Sequence, residues 1–151
     1  MFQAKTELDV HNGRQAIERI AYISDSLIGW GPFGIGLDGM LAWVPGVGEI
    51  YSLGAGAALV LQGYRARVPA GVLVHAAVLI SIRTLSNIFP LLGGLIVDVF
   101  RGHRMAAKLL VKAIDETLYI EGAPGPDHPD YALVLGRIRS GQERRRVVFL
   151  G

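Results

Sequence analysis

A long apolar stretch that proline and glycine interrupt constrains this chain most. From Ser26 to Val97 the formal charges are few: Asp38, Glu49, Arg65, Arg67 and Arg83. Charged residues make up 19% of the whole chain, below the roughly 25% of typical soluble domains, and most of them lie in the two flanks. This distribution favours a membrane-embedded centre with aqueous flanks over an ordinary soluble domain.

Two breaks with similar spacing divide the apolar stretch. The first is Val44-Pro45-Gly46, and the second runs from Phe89-Pro90 to Gly93. Proline removes a backbone donor and clashes with the preceding helical turn, while glycine adopts backbone angles that other residues avoid. We therefore predict helix breaks at Pro45, Gly46, Pro90 and Gly93, in an arrangement that suggests a weak internal duplication.

Apolar periodicity between the breaks predicts an all-α fold. A first helix should run from residue 13 to about 27, followed by helices at 46–64 and 70–88 that form an antiparallel hairpin, and a last helix at about 91–117 that becomes basic and amphipathic. Nineteen residues at roughly 1.5 Å each are long enough to span a bilayer. We expect a flexible N-terminus at 1–12, a helical membrane domain at 13–117 and a polar tail at 118–151. In the tail, 131–138 and 145–150 read as a short β-hairpin.

Small residues and buried charges predict how the hairpin packs. Gly48, Ser52 and Gly56 lie four apart on one helical face with Gly54 beside it, a spacing that lets helices approach closely in lipid. Glu49 and Arg83 would lie at similar depth and form a structural ion pair, because an ionisable group within lipid seeks a partner. The candidate intramembrane polar network is Asp38, Glu49, Arg83 and Asp98. As an alternative, these charges line an ion or proton pathway.

The residues give no sign of a catalytic, cofactor or metal site. The chain has no cysteine, its histidines lack ligand spacing, and no serine lies in a nucleophile motif. Gly34 to Gly39 matches a dinucleotide-binding pattern, but no strand precedes it, so packing and turns explain these glycines better. We expect no enzyme, no cofactor and no small-molecule substrate. The basic residues Arg101, Arg104, Lys108 and Lys112 are expected to face lipid or a partner.

The central motif resembles a known family. Gly36-Leu37-Asp38 followed by Trp43-Val44-Pro45-Gly46-Val47-Gly48-Glu49 is similar to the family called domain of unknown function 4112, over about residues 20–114. The second half of the pattern corresponds to Pro90, Gly93, Asp98 and Arg101. The chain departs from it at Gly94, where the family often has an acid, and at His103-Arg104-Met105, in place of an Asn/Arg-rich run. The resemblance implies a compact, glycine-rich, membrane-associated helical domain and supplies no catalytic residues.

These observations lead to three hypotheses about function. The first is a non-catalytic accessory or scaffold subunit that packs in or on a larger membrane protein complex of a bacterial type. The second is a small channel or transporter module that uses the buried charges. The third is a peripheral helical protein that binds lipid or nucleic acid through its basic face, nucleic acid being the weaker choice.

Location and partners follow from the charge pattern. We expect membrane lipids and other membrane subunits, or further copies of the chain, as partners. The excess of Lys and Arg in both flanks places both termini on the cytoplasmic side of the inner membrane. The hairpin tip at Arg65 and Arg67 would then face out, against that rule, unless the hairpin is re-entrant or sheltered by partner helices.

Overall fold

The computed structural model describes residues 3–26, 47–88 and 102–151, and within them the side chains of residues 25, 26, 48, 49 and 83–88 lie outside the description. The described residues form five helices and two strands: α1 (Glu7–Ser26), α2 (Val47–Arg65), α3 (Ala70–Ile88), α4 (Gly102–Asp115), β1 (Thr117–Ile120), α5 (Tyr131–Arg139) and β2 (Arg146–Phe149). The prediction of a mainly helical fold is confirmed. The predicted breaks at Pro45, Gly46, Pro90 and Gly93 lie outside the described residues.

Helix α1 begins at Glu7, six residues before the predicted start at Gly13. Two reciprocal hydrogen bonds close its first turn: the Asp9 backbone N–H donates to Thr6 Oγ1 at 3.1 Å, and the Thr6 N–H donates to the Asp9 carboxylate at 3.2 Å. Such a pair satisfies helix-terminal donors that otherwise lack partners. Residues 7–12, predicted to be flexible, therefore belong to the helix.

The hairpin of α2 and α3 agrees with the sequence to within one residue at each described end. Its turn places Arg67 at a positive φ of 54°. Pro69 immediately precedes the first residue of α3, and the Val72 and Leu73 N–H groups donate to the Pro69 carbonyl at 3.0 and 3.1 Å. Proline is well suited to a helix start because the first N–H groups of a helix have no partner within it.

Helices α1 to α4 form a four-helix bundle in which sequence neighbours are antiparallel and α4 packs back on α1. The direction of each helix follows from its contacts. The Ala4 N–H donates to the Arg65 carbonyl at 2.8 Å, so α1 starts where α2 ends. His103 Nε2 lies 3.0 Å from the Ser52 carbonyl oxygen, and Leu110 lies against Gly63, so α4 runs parallel to α2.

The bundle therefore has two different ends. The closed end carries the first residues of the chain, the α2–α3 turn, the end of α4 and the C-terminal strands. The open end carries the last residue of α1, the first of α2, the last of α3 and the first of α4, and there the chain passes into segments 27–46 and 89–101. The bundle core between the ends is apolar, and its fully or nearly fully buried side chains include Ile17, Leu59, Ala76, Ile80, Ala106 and Leu110.

This arrangement corrects the predicted topology of the hairpin. The tip at Arg65–Arg67 was expected on the opposite side of a membrane from both termini. Instead, it contacts residue 4 at one terminus and residue 150 at the other, so all three lie at the closed end. In the described part of the chain, no helix combines the length and the apolar character that crossing a membrane requires.

The C-terminal segment forms a β–α–β unit in place of the predicted β-hairpin. The strand predicted at 145–150 is present as β2, but Tyr131–Arg139 is helical, and the partner of β2 is β1, which pairs with it in parallel from Thr117↔Arg146 to Ile120↔Phe149. Parallel strands need a crossover, usually helical, and α5 supplies it. Val148 and Leu150 then join the bundle core, and Leu150 is completely buried.

Candidate functional site

The outer surfaces of α2 and α3 expose large apolar side chains along much of their length. We call this surface the apolar face; it consists of Ile50, Leu53, Leu61 and Tyr64 on α2 and Val74, Val78 and Ile82 on α3. Ile50 is 74% exposed and Val74 62% exposed. Isolated exposed apolar residues are normal, but a run of them on two adjacent helices marks an interaction surface.

Apolar exposure also surrounds the open end of the bundle. Each of the four bundle helices contributes to this open-end rim, which consists of Tyr22 and Ile23 on α1, Val47 on α2, Ile82 on α3 and Met105 on α4. The sequence beyond these residues, in segments 27–46 and 89–101, carries only Asp38, Asp98 and Arg101 as formal charges. In sequence, the residues that follow these helix ends are therefore poor in charge.

The opposite side of the bundle, formed by α1 and α4, is mainly polar, although it also exposes Leu8, Tyr22, Ile23 and Met105. Helix α4 buries Ala106, Ala107, Leu110 and Ile114, and it exposes Arg104, Lys108 and Lys112, each four residues from the next. The predicted basic amphipathic helix is therefore present, with these three predicted residues on its outer side. Arg101 lies outside the described residues, and the helix ends at Asp115 instead of about Thr117.

A cleft of about 620 Å³ separates α1 from α4 on this side. Its base is apolar and includes Ala21, Ala107 and Val111, and its edges include Tyr22, Arg104 and Lys108. Ala21 and Ala107 are nearly buried. Because two alanines line the base where larger side chains would fill it, a groove remains between the two helices.

The ion pair between Arg14 and Asp115 joins α1 to α4 toward the closed end of the cleft. The Arg14 guanidinium donates to both Asp115 carboxylate oxygens at 2.8 and 3.0 Å and to Glu18 at 2.9 Å. The hydrogen bond from Arg14 holds the pKa of the Asp115 carboxyl below its usual value, and the same contact raises the pKa of Arg14. Lys112 lies 3.7 Å from Glu116. The contact between Arg14 and Asp115 ties α1 to α4, whereas the other two contacts are local, each between residues four apart in the sequence.

The predicted helix-packing residues differ in whether they lie inside the bundle or on its surface. Ser52 is fully buried, and Gly56 lies so close to α3 that a methyl group in its place would overlap Ile80 Cγ2. Gly54 is exposed, with no described atom within 4 Å of where its side chain would begin, so no described element of this chain packs against it. Gly48 lies in α2, but its packing is outside the description.

The predicted polar network is not described by the structure. Asp38 and Asp98 lie outside the described residues, as do the side chains of Glu49 and Arg83. The ion pair and the ion pathway therefore stay predictions.

The structure reveals one close packing point that the sequence analysis missed. A methyl group at Gly63 would lie 2.8 Å from Leu110 Cδ2 and 2.9 Å from Leu73 Cδ2. Gly63 follows Gly56 by seven residues, or about two helical turns, so the same face of α2 packs closely at both places. That seven-residue interval was a signal in the sequence.

Arg67 is the second feature that sequence reasoning missed. Its guanidinium donates to the Phe149 carbonyl at 2.8 Å and to the Ala4 and Leu150 carbonyls at 3.2 Å. The Arg67 carbonyl accepts a bond from the Arg146 guanidinium. Arg67 therefore joins the two chain termini to the hairpin tip, and we call this set of contacts the arginine clasp.

A comparison with protein families finds one match. Residues 14–114, more than half of the chain, match the model of the family described as Domain of unknown function (DUF4112). The matched region contains the four bundle helices from residue 14 of α1 to residue 114 of α4, and it leaves out the β–α–β unit. No curated protein and no solved structure was found to match the chain.

Proposed function

Since the chain belongs to the family described as Domain of unknown function (DUF4112), as the sequence resemblance predicted, we propose a role that rests on its surfaces. The protein is a non-catalytic accessory or scaffold subunit that packs in or on a larger membrane protein complex. One observation carries this proposal: the bundle is apolar on the outer side of α2 and α3 and charged on the outer side of α1 and α4.

The apolar face supplies the energy for this association. Fully burying a large apolar side chain contributes about 1.5–3 kcal/mol. Its seven side chains are roughly half exposed, so covering them would contribute on the order of 1 kcal/mol each. Lipid chains and apolar helices of a membrane complex both provide such a cover.

The two ends of the bundle support a one-sided arrangement. The closed end carries basic residues of the tip and the tail, including Arg65 and Arg144–Arg146, and the open end carries the apolar rim. A bundle that inserts its open end and keeps its closed end in water needs no spanning hairpin. Both termini and the hairpin tip would then lie on the cytoplasmic side, in accord with the preference of Lys and Arg for that side.

Membrane fractionation with a carbonate wash, followed by crosslinking of the pellet, tests the proposal. We expect the wild-type protein in the pellet and crosslinked to partner subunits or to itself. The double variant I50E/V74E places two charges on the apolar face and should move to the wash. The matched control L133E/I138E changes two exposed residues of α5 and should behave as the wild type.

Two results would contradict the proposal. One is release of the wild-type protein by the wash together with no crosslinked partner. The other is equal release of both double variants, because the apolar face would then have no special role.

A further inference from the structure

We infer that the exposed side of α2 is the interface between two parallel copies of this chain. The inference deepens the proposed function by naming the partner, and the parallel orientation rests on that function. Five exposed residues of α2 carry the argument, and we call them the outer seam: Ile50, Gly54, Ala57, Leu61 and Tyr64.

The outer seam has the spacing with which one helix packs along another. Its residues follow one another at alternating intervals of four and three positions. This alternation is the heptad repeat of a coiled coil, in which the repeated positions face a second helix along their whole length. A cover of lipid chains requires apolar side chains but no such register, so the spacing favours a helix as the partner.

The buried side of α2 shows how such a repeat packs in this protein. The same intervals recur two residues later in the inner seam, which consists of the buried residues Ser52, Gly56, Leu59, Gly63 and Ala66. A shift of two residues is about 200° around a helix, so the two seams lie on opposite sides of α2. A methyl group at Gly56 would overlap Ile80 of α3, and one at Gly63 would lie 2.8 Å from Leu110 Cδ2 of α4. Helices are therefore the partners of the inner seam, and the outer seam repeats its spacing on the exposed side.

The centre of the outer seam is small and its flanks are large. Gly54 has no described atom within 4 Å of where its side chain would begin, and Ala57 is also exposed. On either side of them, Ile50 is 74% exposed and Leu61 50% exposed. Small residues let two helix backbones approach closely in lipid, and the flanking side chains then meet those of the second copy. A two-fold axis makes this surface complementary to itself.

Charge and area also suit a second copy. Among the described side chains of α2 before Arg65 and of α3 up to Ile82, none carries a formal charge, so joining two copies here buries no described charge. The exposed parts of the seven large side chains of the apolar face amount to roughly 400 Å², and the small residues between them add to this. Each partner of a standard interface contributes about 800 Å², so the face approaches the size of one side of a dimer interface.

The proposed one-sided insertion sets the orientation of the two copies. Copies that insert their open ends into one membrane lie parallel, with the two-fold axis along the membrane normal. Each residue of the outer seam then faces the same residue of the second copy, Ile50 against Ile50 and Leu61 against Leu61. An antiparallel pair would instead place Ile50 of one copy near Leu61 of the other.

Cysteine crosslinking of the full-length protein in its native membrane tests the inference. The chain has no cysteine, so each single-cysteine variant reports on one position. The variants I50C and L61C lie on the outer seam, and the matched control K108C lies on the exposed side of α4. Because Gly63 packs against Leu110, residues 61 and 108 are at similar heights in the bundle. A disulfide requires Cα atoms within about 7 Å of each other, so under oxidation I50C and L61C should each form a dimer and K108C should stay monomeric.

A bulky side chain at the centre of the outer seam gives a second test. A57F, introduced together with L61C, should lower the fraction of crosslinked dimer severalfold, because the two backbones can no longer approach closely. The control A132F enlarges an exposed alanine of α5 and should leave that fraction unchanged. Far-UV circular dichroism should be the same for both variants, which separates lost contact from lost folding. Equal dimer fractions in the two variants would overturn the inference.

The outcomes separate this inference from the proposed function. If the protein resists the carbonate wash but L61C forms no dimer, the second copy is overturned and the membrane proposal stands with other subunits as partners. A disulfide that forms only between I50C of one copy and L61C of the other would overturn the parallel arrangement. If L61C forms the dimer but the wash releases it, the contact between copies is supported and the membrane proposal is contradicted.

Discussion

Replacing Arg67 tests the energetic role of the arginine clasp. Its guanidinium makes three hydrogen bonds to carbonyls of the two chain termini, and a bond from a charged donor contributes about 1.5–3 kcal/mol. Arg67 is only half-buried, and its Nε finds no acceptor among the described residues, so we use the lower part of that range for each bond. In the alanine variant water can bind the three carbonyls, which reduces the expected loss further. The result is roughly 3 kcal/mol for Arg67→Ala.

The positive φ of Arg67 gives a second, independent expectation. A residue with a Cβ in the left-handed region costs about 1 kcal/mol that glycine avoids. Arg67→Gly loses the same hydrogen bonds but removes this strain, so it should be destabilised by about 2 kcal/mol. The glycine variant should therefore be more stable than the alanine variant. This is the reverse of the usual result, in which glycine lowers stability by raising the conformational entropy of the unfolded chain.

Urea unfolding followed by far-UV circular dichroism measures both variants. Arg65→Ala is the matched control, because the Arg65 side chain is exposed, and it should change the free energy of unfolding by less than about 0.5 kcal/mol. The hydrogen-bond argument is refuted if Arg67→Ala is no less stable than this control. The strain argument is refuted if Arg67→Gly is less stable than Arg67→Ala.

Three further predictions concern the bundle. Gly56→Ala should destabilise the protein by about 1–3 kcal/mol through overlap with α3, whereas Gly54→Ala on the exposed side of the same helix should stabilise it by about 0.5–1 kcal/mol; equal effects in urea unfolding would contradict the assigned packing. Thr6→Ala should cost about 1 kcal/mol and speed hydrogen exchange in the first turn of α1, and unchanged exchange there would contradict the capping role. Because contact with Arg14 lowers the folded-state pKa of Asp115, the pair should contribute above the unfolded pKa of about 4 and lose its effect as the pH falls through the folded value. Asp115 is half-exposed, so the contribution of the pair to the free energy of unfolding should not exceed about 1 kcal/mol. It is measured as the difference in the free energy of unfolding between wild type and Asp115→Asn at several pH values. A difference that grows as the pH falls would contradict the prediction.

The sequence predicted α2 and α3 well because their boundaries are local. Pro69 and the apolar runs on either side of it define one end of each helix without any distant partner. The start of α1 was also encoded locally, by Thr6 and Asp9 in the spacing of a capping box. We predicted a flexible segment at 1–12 from its polar composition, although the spacing of Thr6 and Asp9 indicates a helix start. A specific capping pattern is therefore better evidence for a helix boundary than average polarity.

The C-terminal segment could not be predicted in the same way. Residues 131–138 alternate weakly and also suit a helix, since short apolar runs do not distinguish the two structures. Whether this segment is a helix or a strand depends on β1, whose first residue lies fourteen residues before the first residue of α5. β1 is the parallel partner of β2, and parallel strands require a crossover between them. Val148 and Leu150 are buried by the bundle, so the tail takes its structure from contacts that no local pattern contains.

The position of the hairpin tip changes what the basic residues of this chain imply. With the tip and the termini on opposite sides of a membrane, Arg65 and Arg67 conflicted with the preference of Lys and Arg for the cytoplasmic side, unless the hairpin was re-entrant or sheltered by partner helices. The clasp instead brings the tip and both termini together at the closed end, and the basic residues of all three then share one side. The conflict arose from placing the tip opposite both termini, an arrangement that these contacts do not allow. Among the described residues, Arg67 and the β–α–β unit hold the closed end together, while the other end of the bundle exposes the apolar side chains of the rim.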